Sequence, residues 1–251
     1  MHKLTAIIPT KNEAHNIEAV LASVDFADEI LVIDSFSDDA TVEKAAALGA
    51  KILQRKFDFY GAQKNYAIDQ AKYQWVLLLD ADERVTPELK TEIISILNQD
   101  TINYDAFSIK RINHFMGQRV NYSGWRNDSV IRLFKKDVCK YNNLHVHESL
   151  IVNGTTGKLQ HKFLHYSYRS FNQYMQKMDR YATLQAKDYD KKTGRLTPYH
   201  FIIKPFWGFF KHYILQSGFR DGVVGLTIGY VQGYVVFMRY VKLWLLRKNR
   251  V

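Results

Sequence analysis

The chain predicts an α/β protein with a mainly parallel central sheet and a helical extension at its C-terminal end. Three observations lead there. Apolar runs of strand length alternate with helical periodicity through the first hundred residues. One of these runs, Val76-Leu77-Leu78-Leu79, has no polar interruption and reads as a strand buried on both faces, the kind found in parallel sheets. From Phe201 onward the alternation gives way to basic residues interleaved with Trp, Tyr and Phe.

Leu4 to Ile8 reads as the first strand, ending at Pro9. Asn12 is placed to cap a helix whose Ile17, Val20, Leu21 and Val24 share one face. Glu29 to Ile33 is a second apolar strand ending at Asp34, and Thr41 to Leu48 a short helix stopped by Gly49. Lys51 to Gln54 returns as a strand, and Gly61 to Ala71 as a helix with Ala62, Tyr66, Ile68 and Ala71 inward. Trp75 to Leu79 follows, then a helix from Pro87 to Leu97 announced by Thr86-Pro87-Glu88. Beyond Asp105 the pattern changes. Ala106 to Lys110 and Ser129 to Phe134 are strands around a polar, aromatic loop, and Leu164 to Tyr168 is another. Phe171, Tyr174, Met175, Met178, Ala182 and Gln185 mark one face of a long helix ending near Gly194.

Composition narrows the function classes. With 251 residues, 47% hydrophobic and 24% charged, the chain is long enough for a substantial core and is not a disordered type. The single cysteine, Cys139, excludes an intramolecular disulfide and points to a reducing compartment. The N-terminus enters a strand directly, without a secretory apolar stretch. The net charge is +10, and the stretch from Phe201 to Val251 alone holds eight basic residues against one acid, Asp221. Basic residues among aromatics suit an anionic membrane surface; they also suit nucleic acid, but no nucleic-acid motif accompanies them. Gly222 to Met238 is 17 residues without a charge, short for a span, so an interfacial helix is expected. Gly225, Gly229 and Gly233 recur at four-residue spacing, which permits close helix packing.

The strongest chemical signal is Asp80-Ala81-Asp82-Glu83, directly after the apolar strand. Carboxyl ends of strands are where open α/β sheets bind ligands. Clustered carboxylates repel one another unless a hard divalent cation takes them as oxygen ligands. A turn leading into the Pro87 helix would use the same residues. Neither a G-x-G-x-x-G after the first strand nor a G-x-x-x-x-G-K-[ST] is present, so dinucleotide and P-loop readings fail. His145, His147, His161 and His165 with Glu148 would make a zinc set only if brought together, and no HExxH or Cys pair supports one.

Several motifs stand in order at strand ends: Ile7-Ile8-Pro9-Thr10-Lys11-Asn12-Glu13, then Val32-Ile33-Asp34-Ser35-Phe36-Ser37-Asp38-Asp39-Ala40-Thr41, then Gln63-Lys64-Asn65 and Asp80-Ala81-Asp82-Glu83. Arg132-Leu133-Phe134, Val146-His147-Glu148, His165-Tyr166-Ser167-Tyr168 and Gly218-Phe219-Arg220-Asp221-Gly222 complete the series. Over nearly its whole length the chain resembles the family 2 glycosyltransferases with a GT-A fold. More narrowly, it resembles small bacterial enzymes that add a sugar to the lipopolysaccharide inner core.

The resemblance implies a nucleotide-sugar donor (a UDP-sugar or ADP-heptose), inversion at the anomeric carbon, and Mg²⁺ or Mn²⁺ as cofactor. It implies a GT-A domain over 1–168, with a nucleotide-sugar half 1–110 and an acceptor half 111–168, and a membrane-associating region over 169–251. Pro9, Thr10, Glu13, Asp34, Ser35, Lys64 and Asp80 would line the donor; Ser35 stands where the family usually has a second acid. Asp82 would be the leading metal ligand, with Asp80 and His165 beside it. The acceptor hydroxyl needs a base within hydrogen-bond reach, and Glu148 is expected there with Asp128 second. Glu148 would otherwise form an ion pair with Arg132. Trp125, Arg126 and Arg132 would contact the acceptor, a lipopolysaccharide-core or other glycolipid, with Arg111 and Arg119 available for its anionic groups. The protein would sit on the cytoplasmic face of a bacterial inner membrane, bound to anionic lipid and not to nucleic acid. The competing readings are an inactive membrane-binding module and a nucleotidyltransferase; the latter should carry a Gly-rich, Arg-bearing loop after the first strand, which is missing here.

Overall fold

The computed structural model of the chain describes residues 2–142 and 149–249. Two compact units make up the chain, Met1–Arg111 with Ser129–His165, and Ile112–Asp128 with Tyr166–Val251.

In the first unit, β1 (Leu4–Thr10), β2 (Glu29–Asp34), β3 (Lys51–Gln54) and β4 (Trp75–Leu78) lie side by side in the order β3-β2-β1-β4, all parallel. The connecting helices are α1 (Ile17–Ser23), α2 (Thr41–Ala47) and α3 (Tyr60–Asp69). Burial on both faces explains the unbroken apolar run of β4. Leu77 belongs to one hydrophobic cluster with Ile8, Ile17 and Val20, while Val76 and Leu78 belong to another with Ile7, Ala67 and Phe134. Next along the chain come β5 (Glu83–Val85) and α4 (Pro87–Leu97). Thr86 caps α4 through its hydroxyl, which accepts the Leu89 amide at 3.3 Å, and Leu89, Ile93 and Leu97 are buried at helical spacing.

The sheet continues antiparallel. β8 (Ser129–Lys135) joins β4, with Phe134 opposite Val76, and β6 (Ala106–Phe115) joins β8. β11 (Thr156–Tyr168) pairs with β5, which puts His165 opposite Glu83. β7 (Gln118–Val120) hairpins onto β6, and β9 (Cys139–Tyr141) and β10 (Leu150–Val152) form a separate ribbon.

Two local expectations are corrected. Asn12 does not cap α1, which begins five residues later. It sits at φ 56° in the left-handed region, its amide donating to the Ser37 hydroxyl at 2.9 Å and its side-chain oxygen accepting from the Asp38 amide at 3.0 Å. The inward face of α3 agrees with expectation at Ile68 and at Ala71 just beyond the helix, both buried, and differs at Ala62 and Tyr66. Gly61, Gln63, Lys64, Ala67 and Ile68 are buried, and Tyr66 is exposed, because two polar residues have partners inside.

The second unit is led by α5 (Phe171–Asp190), whose Tyr174, Met178, Ala182 and Ala186 are buried while Phe171 stays exposed. After α6 (Pro198–Phe201) and α7 (Ile203–Phe210), a π turn and a 3₁₀ turn at Gly218–Asp221 lead into the 26-residue α8 (Gly222–Arg247). The glycine stripe permits the close approach that its spacing predicts. A Cβ on Gly225 would stand 1.8 Å from the Gly218 carbonyl, and one on Gly233 would stand 2.9 Å from the Pro205 carbonyl. Phe115, Trp125, Tyr168 and Tyr174 form an aromatic cluster of edge-to-face and tilted pairs, with centroids 4.6 to 6.4 Å apart.

Candidate active site

The acids after β4 lie at the carboxyl end of the parallel sheet, held by a buried ionic cluster. Glu83 is fully buried in β5; its carboxylate meets the guanidinium groups of Arg132 at 2.7 Å and Arg111 at 3.1 Å. The Asp80 carboxylate, about one-third exposed, takes Arg132 on one oxygen and the Lys64 ammonium at 3.4 Å on the other. Lys64, 6% exposed, also lies over the Tyr141 ring. Arg84 fixes the turn itself: it donates to the carbonyls of Ala81 and Glu83, and to the carbonyl and side-chain oxygen of Asn16 at 3.1 and 2.8 Å. Burial works to raise the Asp80 carboxyl, but Arg132, Lys64 and Arg111 outweigh it and hold Asp80 well below the usual carboxylate range. For Glu83 burial dominates and pushes the carboxyl up, against the pull of Arg132. Asp80 is therefore ionised throughout the neutral range.

The repulsion that the clustered acids would suffer is met largely by the protein's own cations. Asp82 differs. Its carboxylate, about one-third exposed, lies 3.6 Å from Nε2 of His165 on β11. A carboxylate and an imidazole converging at the end of a sheet could supply two ligands to a divalent ion, although among the described residues no group of three or more His, Cys, Asp or Glu is gathered there.

Around the first two strand ends, Thr10 and Asp34 are buried and hydrogen-bonded to each other at 3.3 Å. Asp34 also accepts from the Ser37 amide at 2.9 Å and from Gln54, which locks the second loop. Ser35 donates its amide to the Thr10 carbonyl and accepts Gln63 on its hydroxyl. The Glu13 amide donates to Thr41, and its carboxylate accepts from Asn16; Pro9 is half-buried above them. These contacts link Thr10, Asp34 and Ser35 at the ends of β1 and β2, with Pro9 next to Thr10 in β1 and Glu13 in the loop that follows, while ion pairs join Asp80 to Lys64 and Arg132, and Asp82 to His165.

Arg132, expected at the acceptor, is instead 4% exposed and spent on Asp80 and Glu83. Arg111 is likewise spent on Glu83. Trp125, Arg126 and Asp128 fall in the second unit. There Asp128 accepts from Asn113 at 3.2 Å, and Arg126 lies over the Tyr122 ring. Glu148, His145 and His147 lie outside the described residues. His161 pairs with Glu92 at 3.0 Å, so it serves the α4 edge. Arg84 carries no expectation from the sequence motifs; the signal available there is its place directly after Asp80-Ala81-Asp82-Glu83, where a cation can turn inward to bond the turn.

The sequence model of glycosyl transferase family 2 matches residues 5–152. A Rickettsia felis protein named as an uncharacterised glycosyltransferase is 33% identical over 97% of this chain and 90% of its own length. The lipopolysaccharide core biosynthesis glycosyltransferase LpsC of Rhizobium meliloti is 23% identical over 96% of this chain and 92% of its own. Among solved structures, TarS 1–349 of S. aureus is 14% identical, with a TM-score of 0.48 over 98% of this chain and 92% of that one. Glucosyl-3-phosphoglycerate synthase of Mycobacterium tuberculosis is 20% identical, with a TM-score of 0.37 over 45% of this chain and 44% of that one. With the family's match covering the four parallel strands and the acidic turn after them, more than half of the chain, the chain belongs to glycosyl transferase family 2, has the GT-A type of α/β fold, and is a glycosyltransferase.

Proposed function

We propose that the protein transfers a sugar, with inversion, from a nucleoside-diphosphate donor to a membrane-anchored glycolipid of the lipopolysaccharide-core class. The observation that carries this is the Asp82–His165 pair beside an Asp80 already neutralised by Arg132 and Lys64. Asp82 and His165 would hold a divalent ion, which when bound stabilises the negative charge that grows on the departing diphosphate. Lys64 adds a second positive charge along the same edge, from a buried and therefore preorganised position. Thr10, Asp34 and Ser35 keep the first two strand-end loops rigid around the nucleoside, with Pro9 and Glu13 at their rim. In the reaction an acceptor hydroxyl gives its proton to a carboxylate, Glu148 or in second place Asp128. The oxygen then forms the new bond at the anomeric carbon as the bond to the diphosphate breaks on the opposite face.

The acceptor class draws support from the printed name of LpsC and from the tail. Ile202, Ile203, Phe206, Trp207, Leu215 and Val223 are more than half exposed, near Lys204, Lys211 and Arg220. Among the described residues one segment, Gly218–Arg247, is long and apolar enough to span, with a mean hydropathy of 1.2. Since α8 is packed against α5 and α7, it would lie along an anionic bilayer, not cross it. Incubation of the purified protein with radiolabelled donors and inner-core lipopolysaccharide in anionic vesicles tests this. Label should enter the glycolipid. Transfer only to a soluble sugar would refute the acceptor class, and Glu148→Gln should lower turnover about a hundredfold if that carboxylate is the base.

A further inference from the structure

Asp221 stands at the head of α8, yet its carboxylate does not cap that helix. An aspartate in this position ordinarily accepts an amide from the first turn of its own helix. Here it reaches the loop between β7 and β8. One oxygen accepts the Asn121 amide at 3.0 Å; the other accepts the Tyr122 amide at 2.9 Å and the Ser123 hydroxyl at 3.0 Å. The two segments are matched over several further contacts. The Ser123 amide donates to the Gln216 carbonyl at 3.1 Å, and Nδ1 of His212 donates to the Ser123 carbonyl at 3.2 Å. The Arg220 guanidinium lies 5.1 Å from the Tyr122 ring centroid.

Fit at this junction leaves no slack. Ser123 is fully buried at φ 56°, and Gly124 follows at φ 88°. A Cβ on Gly124 would stand 2.5 Å from the Gln216 side-chain oxygen, and one on Gly218 would stand 2.6 Å from the His212 carbonyl and 3.0 Å from the Ser123 hydroxyl. The held turn then presents Trp125, whose amide bonds back to Tyr122 at 2.9 Å, and Asp128, whose amide donates to the Trp125 carbonyl at 3.3 Å. Asn113 ties both ends of this stretch, donating to the Trp125 carbonyl and to the Asp128 carboxylate.

We propose that Asp221 is a positioning residue for acceptor binding: by gathering three donors it fixes loop 121–128, so that Trp125, Arg126 and Asp128 meet the acceptor as one preformed surface. The inference rests on the reading that this loop contacts the acceptor. Preformed surfaces bind more tightly because ordering costs are met before binding. Phe219 and Arg220, exposed on the turn that carries Asp221, belong to the membrane-facing tail, so the lipid contact and the acceptor loop form one piece.

The test uses the full chain with Asp221→Asn, which keeps the shape but offers one accepting oxygen in place of two, and Ser123→Ala, which removes one of the three donors. Amide exchange read by mass spectrometry over 121–124 should speed up in Asp221→Asn and less in Ser123→Ala. With a deacylated inner-core oligosaccharide as acceptor, which takes lipid docking out of the measurement, the acceptor KM should rise about tenfold in Asp221→Asn. The donor KM should stay within about twofold, a split that general loss of structure would not produce. Unchanged exchange in the folded variant overturns the clamp. Faster exchange with an unchanged acceptor KM overturns the positioning role. Wild-type protein that hydrolyses donor but glycosylates no such oligosaccharide overturns the acceptor reading instead, and faster exchange in Asp221→Asn then still upholds the clamp.

Discussion

Arg132 decides the character of the site at the scale of single residues, because it is buried between two acids. Replacing it by Met would leave Glu83 in the core with the Arg111 guanidinium, 3.1 Å away, beside it. Removing one partner of a buried pair costs about 3–5 kcal/mol, so the urea midpoint of Arg132→Met should fall well below that of wild type. Asp82→Asn should behave differently. The residue is about one-third exposed, so stability should hold while metal-stimulated turnover drops about a hundredfold, equivalent to roughly 2.7 kcal/mol of transition-state stabilisation. Phe36 offers a third contrast. It holds φ 59° with half its surface exposed, a backbone conformation that costs a side chain about 1–2 kcal/mol and costs glycine little. Phe36→Gly should therefore raise the thermal midpoint by about 2–4 °C in calorimetry. Asp80 and Asp82 are visible in the sequence as acids directly after an apolar strand, whereas Lys64, inside α3, is implied only by the family resemblance. The sequence did not show that Arg132 and Arg111 turn inward. That depends on the antiparallel return of β8 and β6 beside β4, and no local periodicity encodes which face of such a strand meets the acids.

Elements succeed or fail here by how local their signals are. β4 and α4 were legible because one is uninterrupted Val and Leu, and the other carries Thr86, Pro87 and an i, i+4 apolar stripe. α3 misled because its inward residues include Gln63 and Lys64, polar groups drawn inside by Ser35 and Asp80. β6 and β11 run longer than their apolar cores suggest, since pairing with neighbours sets their ends. In α8 the glycine stripe was readable, and it makes a graded prediction. Gly225→Ala must displace the Gly218 carbonyl, and should cost at least the 1–3 kcal/mol typical of overpacking. Gly229→Ala meets the Tyr213 Cβ at 3.1 Å and the Phe209 ring at 3.3 Å, a much smaller overlap, so its thermal midpoint should fall less. At the start of β6, Asp105 accepts from Lys135 and from Thr155, and these hydrogen bonds lower its carboxyl from 3.8 to about 2. A folded-state value below the unfolded one stabilises the protein above pH 3.8, and that contribution is lost as pH falls toward 2. Asp105→Asn should accordingly flatten the acid limb of the stability curve across that window while leaving its shape near neutrality unchanged.

For the whole molecule, charge and exposed apolar surface point the same way. The excess of positive charge is concentrated after Phe201, where Phe206 and Trp207 are more than half exposed. Binding to vesicles containing anionic phospholipid should weaken as salt rises and fall sharply in Phe206→Ser/Trp207→Ser, whereas neutral vesicles should bind poorly. Sedimentation that is indifferent to both would remove the membrane from the account. The fold class and the family were open to inspection because the strand-end motifs stand in order along the chain; the identity of the sugar was not, since the loops that choose it are read by shape. The central claim, metal-dependent transfer from a nucleotide sugar, is tested most directly by donor hydrolysis. Purified protein would be offered UDP-glucose, UDP-galactose, UDP-GlcNAc and ADP-heptose, each with Mn²⁺ and with EDTA. The account predicts slow release of a nucleoside diphosphate from one donor, abolished by EDTA and by Asp82→Asn. Release that is unaffected by EDTA, or equal in Asp82→Asn, would contradict it.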